Sequence, residues 1–77
     1  MTNNAINFAI GGPYTIHLEE ASSTVTYVGY ADPDTATSAS TWSIKKLDSS
    51  SGLVITWADG DSNFDKVWDD RASYSYS

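Results

Sequence analysis

The sequence predicts an all-β fold: a small antiparallel β-sandwich or barrel of five or six short strands, with one helical turn near residues 64–68. Three observations predict it. Apolar and polar residues alternate with period two through several short runs, the pattern of half-buried strands. Gly, Pro, Asp, Asn and Ser cluster between those runs as turn signals. Ser and Thr together number twenty, whereas Glu, Lys, Leu and Arg, which fill helices, are scarce. With 77 residues the chain makes a single β domain, 1–77, because two ordinary cores do not fit in that length.

The elements follow in chain order. Residues 5–10 alternate, with Ile6, Phe8 and Ile10 on one side, until Gly11-Gly12-Pro13 breaks the run. In residues 14–20, Tyr14, Ile16 and Leu18 share one face, while Thr15, His17 and Glu19 share the other. Ala21-Ser22-Ser23 turns the chain into a β-branched and aromatic run at 24–31, so residues 14–31 read as a hairpin. Residues 32–41 carry no large apolar side chain and form a loop opened by Asp32-Pro33. Trp42 and Ile44 restart the alternation, but Leu47 falls out of phase, which predicts a bulge near Lys45–Lys46 or a strand ending there. After a loop at 48–52, Leu53, Ile55 and Trp57 align, and 42–47/53–58 is the best-specified hairpin. Asp59 to Asn63 is a polar turn. Phe64, Val67 and Trp68 stand at i, i+3 and i+4, the spacing of one helical turn. Residues 72–77 close with Tyr74 and Tyr76 in phase. The expected core holds Ile16, Leu18, Tyr27, Trp42, Ile44, Ile55, Trp57 and Val67.

Composition excludes several functions. Four Lys/Arg against ten Asp/Glu give a net charge of −6, the wrong sign for a nucleic-acid partner. Without cysteine there is no disulfide framework, thiol nucleophile or Cys-based zinc site. No apolar run approaches the ~20 residues of a membrane span, and the start, Met1-Thr2-Asn3-Asn4, lacks the basic and apolar regions of a signal peptide. No cofactor motif is present, and no cofactor is expected.

The residues that could carry chemistry are few. Asp59, Asp61, Asn63 and Asp65 place oxygen ligands at alternate positions, with Asp70 twelfth from Asp59, the spacing of a Ca²⁺ loop. Phe64 stands where that loop needs Gly, so an Asx-rich turn capping backbone amides is the favoured reading. His17 lies with Thr15 and Glu19 and reads as a solvated surface residue. Neither Glu19–Glu20 nor Asp69–Asp70 converges, because neighbours on a strand point to opposite faces. No nucleophile elbow or Gly-rich oxyanion segment accompanies His17, so catalytic residues are not assigned and a non-enzymatic role is expected. Arg71, following Asp69-Asp70, reads as one half of a local ion pair. Ten aromatics remain to be placed. Phe8, Tyr30, Trp68, Tyr74 and Tyr76 are the candidates for an interface or a sugar-stacking platform; Tyr74 and Tyr76 either cover the core or form an exposed stripe.

Several strings resemble a family of short, mostly uncharacterised proteins of tailed bacteriophages. They are Tyr27-Val28-Gly29-Tyr30-Ala31, Ala36-Thr37-Ser38-Ala39, Trp42-Ser43-Ile44-Lys45-Lys46, Ile55-Thr56-Trp57-Ala58-Asp59-Gly60, and the run from Asn63 to Ser73. The resemblance covers roughly residues 25–77, and Phe64-Asp65-Lys66-Val67-Trp68-Asp69-Asp70-Arg71-Ala72 is its most specific part, with Asp70 where Asn is the more usual residue. It implies a virion or tail-associated protein located in the phage particle, and it brings no catalytic residues. Its partners would be copies of itself and other virion proteins. A small carbohydrate- or receptor-binding module on a phage fibre, with a glycan as partner, is the alternative. The uncharged terminal runs 5–10 and 72–77 lack the charges and prolines that protect open sheet edges. Self-association through one of them is therefore expected, with pairing of the two termini into a closed barrel as the competing arrangement.

Overall fold

The computed structural model describes residues 14–77. They form a mostly β structure built on one open antiparallel sheet. Strands β1 (Thr15–Glu20), β2 (Val25–Ala31), β3 (Ser43–Asp48) and β4 (Val54–Trp57) lie side by side in sequence order. Both predicted hairpins are present: β1 pairs with β2 from Thr15↔Ala31 to Glu20↔Thr26, and β3 with β4 from Lys45↔Trp57 to Asp48↔Val54. The predicted strand at 5–10 lies outside the described residues. Residues 72–77 contribute not a full strand but a single bridge, Ala58↔Tyr76.

Registers assign every side chain to a face. On one face lie His17 and Glu19, Tyr27, Gly29 and Ala31, Ile44, Lys46 and Asp48, and Thr56. This inner face holds the core: Ala31, Trp42, Ile44, Ala58 and Trp68, with Tyr27, Tyr74 and Tyr76 packed around them. A 3₁₀ segment, Trp68–Ser73, lies over it and inserts the Trp68 indole. The second face carries Ile16 and Leu18, Val28 and Tyr30, Ser43, Lys45 and Leu47, and Ile55 and Trp57.

Four expectations are corrected here. Leu18 and Ile55, placed in the core, are 53% and 49% exposed on the second face. His17, read as solvated, packs between indoles, 5.0 Å from the Trp42 ring and 5.6 Å from that of Trp68. No bulge occurs near Lys45–Lys46, since pairing runs unbroken through 45, 46, 47 and 48. Leu47 is out of phase with Trp42 because it faces the second side, opposite Ile55. Lys46 occupies the inner side, where its ammonium lies 5.0 Å over the Tyr76 ring centroid.

The helical turn also shifts along the chain. Residues 64–67 are not helical, because the Lys66 amide and carbonyl bond back to Trp42 at 2.9 Å each. Regular turns begin only at Trp68, where Asp69 and Asp70 supply the negative charge favoured in a first turn. Trp42 is further held by its indole N–H donating to the Ala36 carbonyl at 2.9 Å, which anchors the 32–41 loop over one end of the core.

Candidate functional site

Of the aromatics singled out as interface or ligand candidates, Phe8 lies outside the described residues. Tyr30 and Trp68 are 3% and 6% exposed, so neither presents a ring to solvent. Tyr74 and Tyr76 are half-buried and resolve the choice between core cover and stripe in favour of cover. The Val67 amide donates to the Tyr74 hydroxyl at 2.8 Å, and the Tyr76 hydroxyl donates to the Arg71 carbonyl at 2.6 Å. Burial, reinforced by the neighbouring Tyr27 and Tyr74, pushes the Tyr76 phenol far above its ordinary range.

The acidic turn is organised by a lysine. Asp59 and Gly60 both take positive φ, 56° and 76°, which reverses the chain sharply. Asp61 Oδ1 then accepts the Asn63 amide at 3.0 Å, an Asx turn, and the Lys66 ammonium at 2.8 Å. Lys66 also donates to Asp65. The lysine is buried, and its ammonium fills the space between carboxylates that a Ca²⁺ ion would need. Asp70 belongs to the 3₁₀ segment, and among the described residues no three His, Cys, Asp or Glu side chains converge on a metal position.

Arg71 pairs not with its neighbours but across the molecule. Its Nε donates to Glu19 Oε1 at 2.6 Å, its Nη1 donates to the Trp68 carbonyl at 3.0 Å, and its guanidinium stacks 4.7 Å from the Trp68 ring centroid. Local pairing loses because Glu19 stands on the inner face, directly beneath the 3₁₀ segment. The Arg71 hydrogen bond holds the Glu19 carboxyl below its ordinary 4.5, and the Lys66 hydrogen bond, helped by the Asn63 amide, does the same for Asp61 relative to 3.8. Carboxyl groups depressed in the folded state bind protons less readily than in the unfolded chain. Their stabilisation is complete above the unfolded values and is lost as pH falls through the folded ones. The melting temperature is therefore expected to hold steady from neutrality down to about pH 5 and to fall below it. Glu19→Gln should lower the neutral plateau and flatten the acid limb in a thermal-melt series; an unchanged acid limb contradicts the role given to this pair.

Sequence reasoning missed two surface features. Tyr14 and Phe64 stack with ring centroids 5.6 Å apart and interplanar angle 20°, bordering a cleft of about 290 Å³ with Asp32 and Thr41. The alternation puts Tyr14 on a strand face with Ile16 and Leu18, and the i, i+3, i+4 spacing puts Phe64 on a helical turn; their 50-residue separation hides the pair. The second feature is a hollow of about 210 Å³ on the inner face, between the β3–β4 hairpin and Tyr76. The 3₁₀ segment covers only the Trp42 half of that face, so Lys46, Asp48 and Thr56 remain at the open half. Asp48 Oδ1 accepts the Ser50 amide at 2.9 Å, which fixes the carboxylate; this bond, with that of the Ser50 hydroxyl, lowers the Asp48 pKa.

No protein-family model, curated protein or solved structure significantly matches this chain.

Proposed function

We propose that this chain is a non-enzymatic structural subunit of a bacteriophage virion, a capsid-decoration, neck, tail or fibre component that works by symmetric self-assembly. One observation carries the assembly half of that reading: the outer edge of β4. Leu53, Val54 and Ile55 are 63%, 52% and 49% exposed, and no charged residue or proline occurs between Ser49 and Ala58. Monomers usually blunt such an edge with Lys, Pro or a covering loop. Trp57 is already bonded outward, its amide and carbonyl pairing with Ser77 at 3.1 and 3.2 Å. By the two-residue alternation of an antiparallel ladder, the Ile55 amide and carbonyl point to that same side. A strand from a neighbouring copy can continue the ladder there.

The terminal run 72–77, expected to make this contact, is spent on the chain's own residues 57–59. Copies joined at β4 would form one continuous sheet, in which each copy keeps Ile16, Leu18, Leu47 and Trp57 on its second face. The phage half of the reading rests on the resemblance of residues 25–77 to short tailed-phage proteins. The partners are then copies of itself and other virion proteins, and the location is the particle.

Light scattering tests assembly. The wild-type chain should give a mass above 8.3 kDa that falls towards that value in Ile55→Lys, with the far-UV circular dichroism unchanged. A wild-type monomer at high micromolar concentration overturns it. Mass spectrometry of purified particles tests location, and absence from them overturns the virion reading. A second reading, a small carbohydrate- or receptor-binding module on a phage fibre, is favoured by the exposed Tyr14–Phe64 pair and by the polar hollow beside Tyr76.

A further inference from the structure

We propose that the hollow between the β3–β4 hairpin and Tyr76 is a binding site for a single neutral sugar ring, an inference that rests on the carbohydrate-binding reading and gives it a location. The geometry supplies each contact that such a ring needs. Tyr76 is immobilised by its hydroxyl bond to the Arg71 carbonyl and by the tilted Tyr27 ring 5.6 Å away. Val54 and Tyr76 supply the apolar part of the lining, where sugar C–H groups can make contact. Asp48 is ionised at neutral pH; Ser50 holds the carboxylate in place, and its remaining lone pairs can accept a sugar hydroxyl. Lys46 and Asp48 are two residues apart on the same face, so donor and acceptor stand on one side of the hollow. Among the described residues the Lys46 ammonium takes part in no ion pair; its contact is with the Tyr76 ring. Thr56 adds a hydroxyl from β4.

Charge and size select the ligand class. One cation and one anion cancel, so the lining favours neither a phosphate nor a metal ion. A volume of about 210 Å³ lies below the 300–1,000 Å³ of sites for drug-sized ligands and suits one ring. A shallow site contacting one ring gives weak affinity, in the millimolar range.

The test is a titration of the full isotope-labelled chain with methyl hexosides and N-acetylhexosamines, following backbone amide resonances. Saturable shifts are expected at 46–56 and at Tyr76, abolished in Asp48→Asn and weakened in Lys46→Met. Both variants preserve side-chain shape, and an unchanged spectrum elsewhere will show that the fold is retained. Glycine, as a zwitterion, and inorganic phosphate serve as comparison ligands. Saturation by either of them without a response to the glycosides overturns the proposed ligand class. Glycoside shifts confined to Tyr14, Asp32 and Phe64 overturn this site while leaving the carbohydrate-binding reading intact. Absence of any saturable shift overturns both.

Discussion

Replacing Trp42 by alanine is expected to unfold most of the chain at room temperature. The indole is fully buried and touches the core from three directions: His17 at 5.0 Å, Trp68 at 5.9 Å, and the Ala36 carbonyl through its N–H. Truncating a buried Trp costs about 3–5 kcal/mol in lost transfer energy and residual cavity. Here it also leaves the Ala36 carbonyl without its partner and releases the 32–41 loop. A domain of this size without disulfides has roughly 3–5 kcal/mol of stability, so the loss is comparable to the whole. Urea unfolding followed by circular dichroism will show the midpoint collapse towards zero denaturant. A variant that melts like the wild type would mean that the loop and Trp68 carry the core without this ring.

The second large effect comes from adding a single methyl. A Cβ on Gly29 would stand 2.5 and 2.7 Å from Trp68 Cε3 and Cζ3, and 3.1 Å from Trp42 Cε3. Strand-interior glycines mark close approaches, and this one makes room for both indoles over the middle of β2. Overpacking of this kind costs about 1–3 kcal/mol, occasionally more, and Gly29→Ala should lie at the upper end because both obstructing groups are rigid rings. The mechanism has its own signature in a double-mutant cycle. Trp68→Ala destabilises by about 3–5 kcal/mol alone, but adding Gly29→Ala to it should cost much less than in the wild-type background. Additive losses would mean that the glycine matters for backbone reasons and not for the space it leaves.

These two positions also explain what the sequence made legible. Period-two alternation located all four strands and both hairpins, because the alternation is local and the turns between runs are rich in Ser, Gly, Asp and Pro. It could not say which face of β1 is inside. Tyr14, Ile16 and Leu18 form the more apolar set, yet His17 and Glu19 face the core. The choice is made elsewhere, by the vacancy at Gly29 and by Trp68, which fills it from the far end of the sequence. His17 is tolerated inside because an imidazole can pack edge-on to an indole, and Glu19 because Arg71 neutralises it. Gly29 amid bulky strand residues was the available clue to the inner face. The candidate site was less legible still. Lys46, Asp48 and Thr56 look like ordinary outward polar residues of a hairpin, and only the return of Tyr76 alongside β4 turns them into a wall.

The order in which the 3₁₀ segment joins the sheet bears on how the chain reaches its native state. Among the described residues all strand pairings are between sequence neighbours, so the sheet can zip up hairpin by hairpin with little loop-closure cost. Trp68, Arg71 and Tyr76 are synthesised only after β1 to β4. Until they emerge, the ribosome holds a sheet whose Trp42, Ile44 and His17 side lies open and whose second side is apolar as well. That interval is when a nascent chain is most exposed to pairing with another. Closing the interval requires one local event, the docking of residues 68–76. A stopped-flow experiment in which Trp42 and Trp68 fluorescence reports a late, single step, slowed by Arg71→Ala, would identify that docking as the step that completes folding.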